Sequence, residues 1–430
     1  MDAATKSEAS GLHSALRYKF IAIVGNENVH AATAADAVAG VQPKVVIEPG
    51  AESEVAEILR LSNEAGLAVI PRGGGTKLGW GNSPARADLV LSTLRLNEII
   101  EHAWADLTVT VEAGCTIQRL QETLAQHRQR LALDPLWPEK ATIGGVLSTN
   151  DSGALRLRFG ALRDLIIGVT IALADGTLAS SGGKVVKNVA GYDLPKLLTG
   201  ALGTLAVITR AVFRLHPLPR KTRAFSISSS NAGEAQRLMH AIQDSQLAHT
   251  FLQLHFSDES ARLCEILFEG TEAGLAAQEA HLRRLAKSEN VTEASTATWT
   301  AREELWSFSE ASDAAIAKIS ILPADLAGTI EKVQRAAQLH QVRWRALVYA
   351  TGIGWIRLDG KPGALRNALQ LLRVELESQG GSLAALHQSE KVRELDTWGN
   401  VGDALAVMKA VKNQLDAKGT LNPGRFVGGI

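Results

Sequence analysis

The chain is predicted to be α+β: an α/β-patterned ligand-binding region, then a second α+β domain, then a C-terminal helix and turn. Three observations predict this. Five glycines fall within Pro71–Gly81 (Pro71-Arg72-Gly73-Gly74-Gly75-Thr76-Lys77-Leu78-Gly79-Trp80-Gly81), directly after the apolar run beginning at Leu67. Apolar β-branched runs alternate with helical periodicity through residues 44–219. After Pro219 the pattern changes to two similar strand-and-helix halves over 222–380.

Residues 1–37 read as a helical or loose lead-in with little strand character. Val45-Val46-Ile47 is a short strand, turned by Glu48-Pro49-Gly50. Ser53 opens an amphipathic helix with Val55, Ile58, Leu59 and Leu61 on one face, and Gly66 stops it. Ala68-Val69-Ile70 leads into the glycines, and Asp88–Ser92 is the next strand. Strands follow at Thr108–Val111, Leu165–Leu173 and Leu205–Leu215, with a helix at Ile117–His127. Past Pro219, strands are expected at Phe225–Ser228, Thr250–His255, Leu263–Phe268, Ala317–Ile321, Arg343–Tyr349 and Gly354–Leu358. Helices are expected at Ala232–Asp244, Ala273–Ser288, Ala324–His340, Pro362–Ser378 and 403–416. The domain boundaries expected are 1–37, 38–219, 220–400 and 401–430.

Composition excludes several classes. The 430 residues carry 45 Lys+Arg and 45 Asp+Glu, so no basic excess points to nucleic acid. No apolar run approaches the ~18 residues of a membrane span. Met1–Ser14 is polar, unlike a secretory signal. The only two cysteines, Cys115 and Cys264, lie far apart, which fits a reducing compartment and rules out an all-cysteine iron–sulfur centre in this chain. The cytoplasm is the expected address.

The chemistry concentrates in small-residue segments. Consecutive glycines let a backbone approach a ligand closely, and successive N–H groups form a concave nest for anions, most often phosphates. Arg72 and Lys77 flank this nest with positive charge. A second segment, Ala141-Thr142-Ile143-Gly144-Gly145 with Ser148-Thr149-Asn150-Asp151-Ser152-Gly153, adds close backbone and hydroxyls. Gly182–Leu194 and Thr199–Thr209 make four such segments, as a long ligand lying against backbone requires. Neither a P-loop nor a Rossmann fingerprint is present: Val185 follows Gly182-Gly183-Lys184 where a P-loop needs a hydroxyl.

The ordered motifs Arg-Gly-Gly-Gly-Thr, Thr-Ile-Gly-Gly, Arg-Phe-Gly-Ala-Leu-Arg-Asp, Val-Lys-Asn-Val-Ala-Gly-Tyr-Asp, Gly-x-x-Gly-Thr-Leu and Asn-Pro-Gly-Arg-Phe resemble those of the PCMH-type (vanillyl-alcohol oxidase-like) FAD-binding oxidoreductases. Within them the chain is most similar to the FAD-binding E subunit of bacterial glycolate oxidase. The resemblance implies a PCMH-type two-subdomain FAD-binding domain, an α+β cap domain and a C-terminal segment returning to the flavin domain. It implies FAD with its pyrophosphate on Pro71, Arg72, Gly73, Gly74, Gly75, Thr76, Lys77 and Leu78. Pro135, Thr142, Ile143, Gly144, Gly145, Thr149, Ser152 and Gly153 would continue along the cofactor. Val207 and Ile208 would meet the adenine end, and Asn422 belongs to the terminal signature. Some members attach FAD covalently through a His near the glycine loop; this loop has none, so non-covalent FAD is expected.

The implied substrate is a small 2-hydroxy acid such as glycolate or D-lactate. The implied partners are a second flavin subunit and an iron–sulfur subunit, which could hold the chain at the inner membrane. Three departures stand out. Ala201 and Ala206 replace a usual Ser and Gly. In the cap, Tyr349-Ala350-Thr351-Gly352-Ile353-Gly354-Trp355-Ile356-Arg357 contains no His, whereas related dehydrogenases carry a metal-binding His cluster there. No metal site is expected, and a clamp of that kind would be missing or rebuilt.

Oxidising a 2-hydroxy acid also needs a cation for the carboxylate and a base for the hydroxyl. Lys184 and Lys187 are candidates for stabilising reduced flavin. Arg343, Arg345 and Arg357 are candidates for the carboxylate clamp, against the plainer reading of a polar strand face. Trp137, between Pro135 and Pro138, is the aromatic expected nearest the flavin ring; core filling is the plainer reading for it.

Overall fold

A computed structural model describes residues 14–183, 192–258, 262–286, 291–294, 300–308, 313–388 and 395–430. The chain divides into two units: one takes residues up to 152, 161–217 and 401–430, the other 153–160 and 218–400.

The first unit holds two main sheets. Its strands, in chain order, are β1 (Val29–Ala31), β2 (Val45–Ile47), β3 (Val69–Arg72), β4 (Leu89–Ser92), β5 (Ile99–Ala103), β6 (Thr108–Glu112), β7 (Gln129–Arg130), β8 (Ile166–Ala172), β9 (Leu178–Gly182), β10 (Val207–Arg214) and β11 (His216–Pro217). The first sheet has the order β1-β2-β4-β3, the second β5-β6-β10-β8-β9. In the first sheet β4 lies parallel to both β2 and β3, with Leu89 opposite Val45 on one side and Val69 on the other. Strands buried on both faces read as continuous apolar runs, which is why Leu89-Val90-Leu91 is so plain in the sequence. The crossover helix, Glu52–Glu64, buries Val55, Ile58, Leu59 and Leu61. Glu52 and Glu54 sit in its first turn, where the helix dipole favours carboxylates.

Inside the expected lead-in, Val29–Ala31 forms a strand antiparallel to β2. Three residues are too few to display a period of two, and the strand exists through its pairing. The edge strands β5 and β9 were likewise not expected; β5 places Glu101 and His102 among exposed and half-buried neighbours, so it has no apolar signature.

The second unit is built on one eight-stranded antiparallel sheet. Its strands are β12 (Lys221–Ser229), β13 (His249–Ser257), β14 (Arg262–Gly270), β15 (Val291–Glu293), β16 (Ala314–Ser320), β17 (Arg343–Tyr349), β18 (Ile353–Asp359) and β19 (Ser382–Gln388). The order is β15-β12-β14-β13-β17-β18-β16-β19, so the pair β13–β17 joins the two halves. Four helices, Ala232–Gln243, Glu272–Leu285, Leu326–His340 and Pro362–Glu377, contribute apolar faces to its core. The short helix Arg156–Phe159 also belongs to this unit, because Leu157 packs against that core. The segment lies inside the span 38–219 expected to form one domain, but its contacts are with the second unit.

The C-terminal helix Ala404–Leu415 belongs to the first unit. Lys412 on it is buried and donates to Thr204 O (2.7 Å), Leu421 O (3.0 Å) and Asp416 Oδ2 (2.5 Å). Asp416 in turn accepts from the N–H groups of Thr420 and Leu421. Burial pulls the Lys412 ammonium below its usual pKa, against the pull of Asp416. The chain then runs beside β3: Val69 N donates to Thr420 O, and Asn422 N to Val69 O.

Breaking a buried pair leaves one charge uncompensated and typically costs about 3–5 kcal/mol. Lys412→Met is therefore expected to lower unfolding stability by an amount of that order. Urea denaturation with an unchanged m-value is the check; a loss below about 1 kcal/mol would remove the pair from the stability argument.

Candidate functional site

β3 ends at Arg72 and feeds the loop Gly73–Leu78. The three glycines do different work. A Cβ on Gly73 would collide with the Thr142 side chain, and one on Gly74 with the carbonyl oxygen of Lys140. Only Gly75 of the three has a positive φ, at 72°. Two glycines thus exist for contact between the loop and the segment 140–142, and one for the turn.

The segment 141–150, singled out in the sequence for its glycines and hydroxyls, is a helix over Ile143–Thr149. Thr142 caps it, accepting from Gly145 N at 3.4 Å. Ile143 N and Gly144 N donate to Cys115 O and Ala113 O, so this helix start is bonded to the end of β6. Gly144 permits that approach: a Cβ there would lie 2.9 Å from Ala113 Cβ. Cys115 is buried under this contact, and burial pushes its thiol up to about 11, which fits a packing role.

These loops line an open cleft of about 730 Å³, counting the space that is continuous with solvent. Of the residues expected at the cofactor, Pro71 through Leu78 without exception, Thr142, Gly144, Gly145, Thr149, Val207, Ile208 and Asn422 all line it. Pro135, Ile143, Ser152 and Gly153 do not. Ile143 is in the apolar core, Pro135 and Ser152 are buried, and Gly153 falls in the other unit. Thr93, Ser148, Leu202, Gly203, Ala206 and Arg425 line it without having been singled out as cofactor ligands. Arg425 stands in the terminal Asn-Pro-Gly-Arg-Phe motif, which was the signal that could have found it.

The polar inventory is specific. Among the described residues, no acceptor faces the backbone N–H groups of Gly73, Gly74, Gly75 and Thr76. Asn422 has a left-handed φ of 43°; its Nδ2 donates to Leu202 O at 2.6 Å, while its buried Oδ1 has no donor among the described residues. The Asn422 oxygen is costly to leave buried without a donor, and the four loop N–H groups, half-buried or exposed, are left available to a ligand.

The two cations expected beside the nest are already engaged. Arg72 Nη1 lies 2.6 Å from Asp36 Oδ1, and Asp36 is held below the usual carboxylate range: burial raises it, and the Thr33 N–H and Arg72 together outweigh that. Lys77 Nζ is 3.1 Å from Asp151 Oδ2, with both side chains almost fully buried. Arg425 donates to the carbonyls of Leu78 and Trp80, and burial pulls its guanidinium down to about 10.

In the second unit, Arg343 and Arg345 are exposed on β17. Arg357 is buried and does not serve as a free clamp. Its Nε and Nη2 hold Asp359 at 2.7–3.0 Å, and Nη1 donates to Leu305 O (2.9 Å) and Ser307 O (2.6 Å). A guanidinium taken out of water needs every donor satisfied, and here protein groups do that. Lys184 and Lys187 lie outside the described residues. Among the described residues, no group of three His, Cys, Asp or Glu could hold a metal ion. Among them too, no helix is long and apolar enough to cross a membrane. Trp137 is half-buried, with φ of 55° and its ring 5.4 Å from Lys77 Nζ.

Residues 43–182 match the family model described as an FAD binding domain. The chain is 39% identical over 184 residues to a D-lactate dehydrogenase of Archaeoglobus fulgidus, covering 43% of this chain and 41% of that protein. It is 34% identical over 200 residues to glycolate oxidase subunit GlcD of Bacillus subtilis, covering 46% and 43%. These two matches therefore span less than half of each relative's length. A mitochondrial D-2-hydroxyglutarate dehydrogenase of Danio rerio is 30% identical over 415 residues, covering 88% of this chain and 77% of that one. Among solved structures, p-cresol methylhydroxylase superposes with a TM-score of 0.76 at 15% identity, covering 96% of both chains, a likeness of fold.

FAD fits the cleft on its own terms. A diphosphate is an anion to which unpaired backbone N–H groups such as those of Gly73–Thr76 can donate, and the flavin and adenine rings carry N–H donors suited to Asn422 Oδ1.

Gly74→Ala should force the two loops apart, whereas Gly79→Ala meets nothing within 4 Å. The expected result is FAD affinity lowered on the order of a hundredfold in the first, since overpacking costs about 1–3 kcal/mol, and nearly unchanged in the second. Titration of the flavin-free variants with FAD measures both.

Proposed function

We propose that this chain, which belongs to the PCMH-type family of FAD-dependent 2-hydroxy acid dehydrogenases, is the FAD-binding subunit of a complex that oxidises a glycolate- or D-lactate-type acid. The observation that carries the reading is the cleft of the first unit, with its four unsatisfied N–H groups and the orphaned acceptor of Asn422. Gly73, Gly74, Gly75 and Thr76 would hold the diphosphate by N–H donation. Asn422 would accept a proton donor of the cofactor, and Thr142, Thr149, Val207 and Ile208 would line its length. Bound FAD supplies a two-electron acceptor.

Oxidation of the alcohol carbon to a 2-oxo acid releases a hydride and the hydroxyl proton, so a base and a carboxylate cation must stand beside the substrate. Arg357, the buried candidate, is saturated by Asp359 and two carbonyls. That saturation, together with two isolated cysteines, supports a division of labour. In it a second flavin subunit and an iron–sulfur subunit complete the electron path, in the cytoplasm or at the inner membrane through those partners. A stand-alone dehydrogenase with a rebuilt cap site is the competing outcome.

Purifying the chain alone and with its genomic neighbours tests this. The expected result is a yellow protein whose flavin is bleached anaerobically by glycolate or D-lactate only when partner subunits are present. Bleaching of the isolated chain supports the stand-alone enzyme instead. A colourless protein that takes up no added FAD would sink the reading.

The glycine loop has no His, so FAD is held without a covalent bond. Acid precipitation should leave the flavin in the supernatant; yellow colour in the washed pellet contradicts this.

A further inference from the structure

Lys77 lines the cleft, yet its ammonium points into protein. Nζ is 3.1 Å from Asp151 Oδ2 and donates to Leu136 O at 3.2 Å. Leu136 N donates to the same Asp151 Oδ2 at 2.9 Å. The peptide unit of Leu136 is therefore bracketed, its N–H by the carboxylate and its carbonyl by the ammonium. Two indoles complete the enclosure, Trp80 at 5.8 Å and Trp137 at 5.4 Å from Nζ. Trp137 follows directly and has the left-handed φ of 55°. A bulky residue held there is strained, and the surrounding contacts must offset that strain.

Asp151 is itself fixed. It follows Asn150, whose φ of 49° ends the helix Ile143–Thr149, and its N–H donates to Val146 O. Its side chain is wholly buried and does not line the cleft. A chain of rigid contacts thus runs from that helix through Asp151 and Lys77 to the loop that carries the free N–H groups.

We propose that the Lys77–Asp151 pair is a positioning latch for the loop Gly73–Leu78, so that FAD retention depends on Asp151, a residue that does not itself line the cleft. The inference rests on the cleft being the FAD site. It makes Lys77 a strut rather than a phosphate ligand. The two roles predict opposite behaviour for Asp151→Asn. A strut loses its anchor and the cradle loosens. A phosphate ligand is released from competition, and affinity holds or rises.

The test is the FAD dissociation constant of flavin-free wild type, D151N, K77M and the double variant K77M/D151L, with circular dichroism and thermal melting of each. Losing one partner of a buried pair is expensive, so D151N and K77M should each bind FAD on the order of tenfold or more weakly. The double variant, which removes both buried charges, should bind about as weakly as either single, because the two act as one unit. D151E, which keeps the carboxylate, should recover part of the affinity while D151N does not.

Folded D151N binding within about twofold of wild type, a difference well under 1 kcal/mol, overturns the latch. If D151N fails to fold, the double variant decides: wild-type affinity in it overturns the latch, weak binding in a folded protein supports it. A wild-type chain that takes up no FAD overturns the FAD reading and the latch together, whereas a failure of the latch alone leaves wild-type binding intact.

Discussion

The first unit depends on how closely three stretches of backbone can approach one another without side chains between them. Gly73 and Gly74 lie against Lys140–Thr142, Gly144 against Ala113, and Gly114 against the carbonyls of Thr93 and Leu96. Each glycine marks a place where a Cβ would overlap backbone or the first atoms of a neighbouring side chain. The layering brings the end of β3, the end of β6 and the helix at Ile143 into one bonded block, through Thr93 N to Arg72 O, Gly114 N to Leu96 O, Gly144 N to Ala113 O and Ile143 N to Cys115 O. The free N–H groups of the loop stand on that block. Preorganisation of this kind removes the ordering cost a flexible loop would bear on binding.

Charge is handled by local cancellation. Lys77 is neutralised by Asp151, Lys412 by Asp416 and Arg72 by Asp36, while Arg425 donates from Nη2 to the carbonyls of Leu78 and Trp80. With Arg72 and Lys77 engaged, the loop's peptide dipoles and the Arg425 guanidinium that also lines the cleft are what it offers to an anion. Such dipoles are fixed in direction and need no reorganisation when the anion arrives. The same design ties the C-terminus to the site. Lys412 joins the last long helix to Thr204 and Leu421, which brings Asn422 to the cleft.

The parts of this site legible in the sequence are those written in residue types with few alternative uses. Three glycines after an apolar run, a Thr before Ile-Gly-Gly, and Asn-Pro-Gly near the end each mark a backbone requirement. The fold class followed from the same alternation of apolar runs. What the sequence could not disclose was partnership. Nothing local says that Lys77 turns inward to Asp151, 74 positions on, or that Arg357 spends its donors on Asp359 and two carbonyls. A lone Lys or Arg in a glycine loop or a strand reads as a free cation, and only tertiary geometry shows it satisfied. Short or paired elements were hidden for a related reason: β1 exists because β2 offers it an edge, and Gly153–Gly160 joins the second unit because Leu157 finds an apolar core there.

The arginines of the second unit carry this reasoning one step further. Arg343 and Arg345 alternate with buried Trp344 and Ala346 on β17, so a period of two puts them on the exposed side. Arg357 on the neighbouring β18 stands opposite Arg345 in the ladder, yet it is buried. Two like charges directly opposite would repel. The structure resolves this by giving Arg357 its own counter-ion two residues away and leaving Arg345 to solvent. That solution fixes Arg357 by three protein partners, Asp359 and the carbonyls of Leu305 and Ser307, before any substrate arrives, and a guanidinium so held contributes shape and field rather than a vacant fork.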